Sequence, residues 1–126
     1  QLPTLQWIHA LKLDKVLKDI ENARSSIVIS LPVTIDLPES WVNVLVHRHP
    51  SARLTVISEK PIPEIQPDSW QEAGCSFPFV VIDDHILWLG FQLGRGKGLQ
   101  PPYIAARLNS EKICDYLIGQ LVTNDL

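Results

Sequence analysis

The sequence predicts an α/β domain with a mixed, mostly parallel sheet and helices on both faces. Two short runs rich in β-branched residues, 27–31 and 54–57, are typical of strands that are buried on both faces. Each run follows a segment with helical spacing of its apolar residues. Two further apolar runs, 78–82 and 86–90, are separated by Asp-Asp-His and predict a hairpin. Helices that alternate with strands, followed by a hairpin, indicate a mixed sheet covered by helices.

The composition indicates one globular domain. The chain has 126 residues, of which 45% are hydrophobic, and a formal net charge of −3. A substantial core is therefore expected, while general polyanion binding and a membrane-spanning helix are not. The chain lacks methionine, which predicts a fragment of a longer protein. Residues 1–9 are expected to be an N-terminal extension or linker, and residues 10–126 the domain.

Helical periodicity and capping signals place the individual elements. The apolar residues of 10–23 share one helical face. Asp36 and Glu39 form a capping box for a second helix, which ends near residue 50. Asp68 is a helix cap and Gly74 a helix stop, so a short helix is expected between them. The full predicted order is helix 10–23, strand 27–31, helix 36–49, strand 54–57, helix 68–74, strands 78–82, 86–90 and 103–108, and helix 110–121.

The segment from Ser76 to Gly90 carries the most information about function. Asp83 follows Ser76 by seven residues and Pro78 by five, and Gly90 follows Asp83 by seven. This spacing resembles the signature H-x-K-x-x-x-x-D of the phospholipase D-like superfamily, in which a Gly follows the Asp by seven residues. Asp83 and Gly90 fill the Asp and Gly positions. Ser76 stands at the His position and Pro78 at the Lys position.

Two other segments resemble the same family. Residues 23–32 resemble its opening, a helix that ends in Ala, then a strand, then Ser-x-Pro. Residues 107–117 resemble its closing segment, which leads from an Arg-bearing strand into a helix. Residues 90–93 depart from the Gly-Ser-x-Asn that follows the signature in some members. The resemblance covers about residues 10–121 and implies one phospholipase D-like half.

The resemblance implies a degenerate site with no catalytic residue. In active members the His attacks phosphorus, a second His from a paired half protonates the leaving oxygen, and the Lys balances charge. Ser76 is a poor nucleophile without an adjacent base, and Pro78 carries no charge. Ser76, Pro78 and Asp83 are therefore the remnants of the family site. A simpler interpretation of Asp83 and Asp84 is the corner of a hairpin, because Asp is a favoured turn residue.

A local positive segment gives a second candidate site. Arg95, Lys97 and Arg107 are the only charged residues between positions 86 and 110. Cations beside a glycine-rich loop predict contacts with the phosphate backbone of DNA or RNA. The alternative is a flexible surface loop over 91–102.

Metal and cofactor sites are not expected. His47 and His49 are two residues apart, so they point in different directions on a helix and make a poor metal pair. His85 follows two Asp in one tight turn, where three side chains do not easily converge on one ion. Cys75 and Cys114 form no C-x-x-C motif. Free thiols in a cytoplasmic or nuclear-type reducing compartment are expected, and a disulfide between the two is the alternative.

The resemblance implies three functional hypotheses. The first is a non-catalytic domain of a larger DNA- or RNA-processing protein, such as a superfamily 1 helicase, that binds nucleic-acid backbone or docks other domains of the parent. The second is a structural module that packs or forms a homodimer without nucleic-acid contact. The third is an active phosphodiesterase or nuclease that uses relocated groups such as His85 or Asp83. None of the three requires a membrane partner or a cofactor.

Overall fold

In the residues that the structure describes, seven strands form one sheet and three α-helices cover it. The computed structural model describes residues 4–9, 14–31, 37–72, 79–89 and 104–121. The strands are β1 (Thr4–His9), β2 (Ser26–Ser30), β3 (Arg53–Ser58), β4 (Ser69–Glu72), β5 (Phe79–Ile82), β6 (Ile86–Leu89) and β7 (Ile104–Asn109). The helices are α1 (Asp14–Asn22), α2 (Glu39–Val46) and α3 (Glu111–Leu121), with one 3-10 turn at Pro63–Ile65.

The sheet is mixed, with the order β1-β7-β6-β5-β2-β3-β4. The pairs β2–β3 and β3–β4 are parallel, and the other four pairs are antiparallel. Five strands nevertheless run in one direction, because only β5 and β7 are reversed. The predicted mixed α/β sheet is confirmed. The sheet is mostly parallel in the sense that most of its strands run in one direction. Most neighbouring strands are nevertheless antiparallel, because short connections such as the β5–β6 turn can join only antiparallel neighbours.

Alternation along the central strands divides the core between the two faces of the sheet. Ile27 and Ile29 pack against α1 and α2, while Val28 packs with Cys114 of α3. Helices therefore lie on both faces, as predicted. The face under α1 and α2 also buries apolar side chains from four further strands, namely Leu54, Val56, Val80, Ile82, Trp88 and Ala105. None of the helices in these segments is both long and apolar enough to cross a membrane.

The buried strands agree closely with prediction. Strands predicted at 27–31, 54–57, 78–82 and 86–90 all lie in this one sheet. Val28, Ile29, Val56 and Val81 are buried, as expected from their β-branched, apolar runs. Leu89, in the apolar run predicted as a strand at 86–90, is only half-buried, because it lies at the last position of β6.

The short helix predicted between Asp68 and Gly74 is wrong. Residues Ser69–Glu72 form β4, which pairs in parallel with β3. Asp68 is not a helix cap: its carboxylate accepts a hydrogen bond from the backbone N–H of Leu54 at 2.8 Å. A four-residue edge strand is too short to show a period of two, and the capping pattern therefore dominated the prediction.

The predicted N-terminal linker is partly a strand. Thr4 to His9 pair with β7 along their whole length, from Thr4 opposite Asn109 to His9 opposite Ile104. These residues belong to the sheet and form one of its two edges. Their partner strand lies about 100 residues away in sequence, which is why local patterns did not reveal it.

Candidate functional site

Asp83 and Asp84 form the turn that joins β5 to β6. Both have left-handed backbone conformations, with φ of 52° and 61°. Asp tolerates this region better than most residues because its short polar side chain bonds locally. The backbone N–H of His85 donates to the carbonyl of Ile82 at 3.2 Å and closes the turn. The hairpin-corner interpretation of this segment is therefore confirmed.

The Asp83 carboxylate lies in a cradle of backbone N–H groups that follow α1. Its Oδ1 accepts from the backbone N–H of Ser25 at 2.8 Å, of Arg24 at 3.0 Å and of Ser26 at 3.2 Å. The Ser25 hydroxyl donates to the same oxygen at 3.0 Å. In return, the N–H of Asp83 donates to the carbonyl of Ser26 at 2.8 Å. Asp83 thus fastens the β5–β6 turn to the start of β2.

This cradle sets the protonation of Asp83. Partial burial, the largest single effect, favours the neutral acid and raises the pKa. The hydrogen bonds from the N–H groups of Ser25, Ser26 and Arg24 stabilise the anion and together outweigh burial. The net result is a pKa for Asp83 below its usual range. The carboxylate is ionised and occupied by internal donors, which suits a structural role and not proton transfer.

The structure separates Asp83 from the start of β5. Strand β5 runs from Phe79 to Ile82, a length of about 13 Å for four extended residues. Asp83 follows its last residue, whereas Pro78 precedes its first in sequence. Ser76 and Pro78 lie outside the described residues, as does Gly90. The three remnants of the family signature are thus not shown together as a site.

Arg107 on β7 is paired inside the protein. Its Nε lies 2.8 Å from Oδ2 of Asp19 on α1, and its Nη2 lies 3.3 Å from Oδ1. The same Oδ2 accepts a hydrogen bond from Nε1 of the fully buried Trp88 at 2.7 Å. A third donor of Arg107, Nη1, reaches Oε1 of Gln6 at 3.2 Å. This cluster ties α1 to β6, β7 and β1.

The pairing of Arg107 bears on the predicted phosphate contacts. Side chains of Arg107 and Asp19 are mostly buried, with 22% and 17% exposed. A phosphate would have to compete with a two-pronged carboxylate partner at close range. The phosphate contact predicted for Arg107 stays a prediction, and the Asp19 carboxylate competes with phosphate for the same guanidinium. Arg95 and Lys97 lie outside the described residues.

Arg48 is a structural hub that the sequence did not reveal. Its guanidinium donates to the carbonyls of Leu45 at 2.8 Å, Gln66 at 2.9 Å and Ala52 at 3.2 Å, and it pairs with Asp68 at 3.2 Å. It thereby satisfies the end of α2 and holds the segment after the 3-10 turn. The only sequence signal was its place in the last turn of a predicted helix, where cations are favoured.

Histidine side chains show no metal-binding arrangement in the described segments. Nδ1 of His85 lies 2.8 Å from the carbonyl oxygen of Asp83, and Nδ1 of His47 lies 2.9 Å from that of Asn43. Nδ1 of His49 lies 2.7 Å from the hydroxyl of Ser51. Within residues 4–9, 14–31, 37–72, 79–89 and 104–121, no three His, Cys, Asp or Glu side chains are placed to share an ion.

Cys114 is a free thiol on the buried face of α3. Burial raises its pKa to about 11, with smaller contributions from the negative charges of Asp115 and Asp84. The thiolate form is therefore scarce at neutral pH, and Cys114 acts as an apolar core residue. Cys75 lies outside the described residues.

Comparison with known proteins identifies the fold. Nuc from Salmonella typhimurium, described as a phospholipase D family member, superposes with a TM-score of 0.65 at 12% identity, over 94% of this chain and 91% of Nuc. NucT from Helicobacter pylori gives a TM-score of 0.66 at 11% identity, over 94% of this chain and 93% of NucT.

A third solved structure comes from a protein of another kind. TrmBL2, an archaeal chromatin protein described as showing a novel mode of DNA binding, gives a TM-score of 0.55 at 7% identity. The match spans 92% of this chain and 49% of TrmBL2. No family model and no curated protein matches the sequence. At these identities the likeness to Nuc and NucT concerns the fold alone, and the chain has the phospholipase D-like fold.

Proposed function

We propose that this chain is a non-catalytic phospholipase D-like domain that contacts nucleic-acid backbone, or docks other domains, within a larger DNA- or RNA-processing protein. The observation that carries the proposal is the presence of Ser76 and Pro78 at the His and Lys positions of the family signature. The fold supports the alignment of that signature. It does not supply the missing nucleophile or the missing charge.

The Asp83 carboxylate offers no substitute for the lost catalytic groups. A relocated nucleophile or base needs a free lone pair near the substrate. The Asp83 carboxylate already accepts hydrogen bonds from Ser25, Arg24 and Ser26. These contacts argue against Asp83 as a relocated catalytic group.

Arg95 and Lys97 are the proposed backbone contacts. They lie in a Gly-rich segment of an otherwise acidic chain, and glycine lets a backbone approach a phosphate closely. The DNA binding described for TrmBL2, of which the match spans 49%, supports contact with nucleic acid in general and does not bear on these two residues. A superfamily 1 helicase as the parent and a cytoplasmic location are further parts of the proposal.

A salt titration tests the backbone contacts. Binding of labelled single- and double-stranded oligonucleotides, followed by fluorescence anisotropy, should weaken as salt rises. The log–log slope should be roughly −2 for contacts by Arg95 and Lys97, and roughly −3 if Arg107 also takes part. The Arg95→Ala/Lys97→Ala variant should lose most of the affinity. Lys15→Ala/Lys18→Ala removes the same charge from an exposed face of α1 and should bind nearly as well as wild type.

The outcomes separate the three hypotheses. Equal loss in both double variants would mean that net charge, and not the Gly-rich segment that carries Arg95 and Lys97, governs binding. Absence of binding at low ionic strength would favour the structural module, which the exposed Leu5 and Trp7 of β1 also support. Turnover of a phosphodiester that disappears in His85→Ala would favour the active enzyme.

A further inference from the structure

Within the segments that the structure describes, strand β1 is an unprotected edge of the sheet. It pairs with β7 on one side, and it occupies the end of the strand order. Edge strands of soluble proteins usually carry Lys, Pro or a bulge, or are very short, because an open edge invites another strand. Residues Thr4–His9 contain no Lys, Arg, Asp, Glu or Pro. No second described strand pairs with these six residues.

The other edge of the sheet is very short and carries a charge. Strand β4 has only four residues, and it ends in the exposed Glu72. Its indole, Trp70, donates Nε1 to the hydroxyl of Ser58 at 3.0 Å and is held against β3. The two edges of the sheet therefore differ, since β4 is short and ends in a charge whereas β1 is longer and uncharged.

Exposed apolar side chains lie beside the open edge. Leu5 lies directly opposite Leu108 of β7, which packs in the core cluster under α3. Residues that are directly opposite each other share a face of the sheet, so Leu5 lies on the face that α3 covers. Trp7, two residues further along the strand, lies on the same face. Leu5 is 52% exposed and Trp7 is 68% exposed.

We propose that β1 pairs with β1 of a second copy of this chain, in an antiparallel, two-fold symmetric arrangement centred on Gln6. This register places Leu5 of each copy opposite Trp7 of the other, on the same face of one continuous sheet. Aromatic–aliphatic pairs directly opposite each other stabilise antiparallel strands. A two-fold interface requires a surface that complements itself, and the uncharged segment Leu5-Gln6-Trp7 meets that requirement.

The exposed area fits a weak dimer. A buried aromatic side chain covers about 200 Å², so Trp7, which is 68% exposed, contributes about 140 Å² in one copy and about 270 Å² in two. Leu5 and the newly paired backbone add to this area, and the total stays below the roughly 1,200 Å² of a specific, stable interface. We therefore expect a dimer whose population depends on concentration. This inference does not depend on nucleic-acid binding.

Sedimentation velocity across a concentration series tests the dimer. Wild type should shift from monomer to dimer as concentration rises. Trp7→Lys puts a charge on the paired edge and should weaken association at least tenfold. Glu72→Lys puts the same residue on the opposite edge and should associate as wild type does. A wild-type monomer at all concentrations, or equal association by Trp7→Lys, would overturn the proposal.

Disulfide trapping tests the register without relying on a disruptive variant. In the proposed pairing Gln6 faces Gln6, with Cα atoms about 4.5–5.5 Å apart, within the range for a disulfide. Gln6→Cys in a Cys75→Ser background should form a cross-linked dimer under mild oxidation. Thr4→Cys in the same background should not, because the two copies of position 4 lie about 13 Å apart along the strands. Cross-linking that is equal for both variants, or absent for Gln6→Cys, would contradict the register and the interface.

Discussion

The Asp83 carboxylate accepts a hydrogen bond from the backbone N–H of Ser25 at 2.8 Å, although 58 residues separate them in sequence. This contact joins the turn after β5 to the loop between α1 and β2. It assigns a structural role to the residue that fills the Asp position of the family signature. The Asp can therefore persist in a chain whose signature lacks both His and Lys.

Replacing Asp83 by Asn should lower the free energy of unfolding by about 2 kcal/mol, because charge-assisted hydrogen bonds to three N–H groups are weakened. Asn also tolerates the left-handed backbone, so the substitution isolates the hydrogen bonds from backbone strain. Asp84→Asn is the matched control, because Asp84 shares the left-handed conformation and is exposed. It should change stability by less than about 0.5 kcal/mol. Urea unfolding measures both variants, and equal effects would contradict the assigned role.

The acid dependence of stability should change in the same variant. Because the pKa of Asp83 is lowered in the folded protein, the unfolded chain binds the proton more readily as pH falls. The stabilisation is therefore complete above the usual Asp pKa of about 4 and is lost as pH falls through the lower folded value. Asp68, whose pKa is also lowered, contributes in the same direction. Unfolding free energies between pH 6 and pH 3 should fall less steeply for Asp83→Asn than for wild type, and identical slopes would rule out a contribution from Asp83.

Two buried serines should respond oppositely to alanine. Ser30 is fully buried and its hydroxyl has no hydrogen-bond partner among the described residues, so Ser30→Ala should be neutral or stabilising, by up to about 1 kcal/mol. Ser58 is also buried, but its hydroxyl donates to the carbonyl of Lys60 and accepts from Trp70. Ser58→Ala should destabilise by about 1–2 kcal/mol. Thermal unfolding of the two variants checks the pair, and a clear loss of stability in Ser30→Ala would reveal a partner for that hydroxyl.

The ion pair of Arg107 with Asp19 should show strong coupling. Asp19→Asn leaves a mostly buried guanidinium without its charge partner, and we expect a loss of about 2–3 kcal/mol. Arg107→Gln should cost a similar amount, while the double variant should cost clearly less than the sum. Chemical denaturation of the four proteins in this double-mutant cycle gives the coupling energy. Strict additivity would show that the contact contributes nothing to stability.

Sequence patterns predicted the elements whose signals are local. The apolar run at 27–31 and the Asp-Asp turn at 83–84 need only their own neighbours for recognition, and both were correctly placed. Strand β1 was missed because its only described partner, β7, lies about 100 residues away, and strand β4 because its four residues are too few to show a period of two. Asp68 resembled a helix cap, but its hydrogen bond to Leu54 is a tertiary contact that no local pattern contains.

The candidate site was predictable to a similar extent. The absence of His and Lys from the signature is visible in the sequence, and so is the turn propensity of Asp83. The donors around its carboxylate come from residues 24–26, far away in sequence, and only the fold brings them together. The charge of Arg107 was likewise visible, but its partner Asp19 lies 88 residues away.

The central claim is that the domain binds nucleic-acid backbone without cleaving it, and one mixture tests both parts. A labelled oligonucleotide is incubated at low ionic strength with rising concentrations of the protein, with divalent cations or with EDTA. Anisotropy reports binding, and a denaturing gel of the same samples reports the length of the oligonucleotide. We expect the anisotropy to rise to saturation while the oligonucleotide stays at full length under every condition. No rise in anisotropy, or an oligonucleotide that shortens as it binds, would contradict the claim.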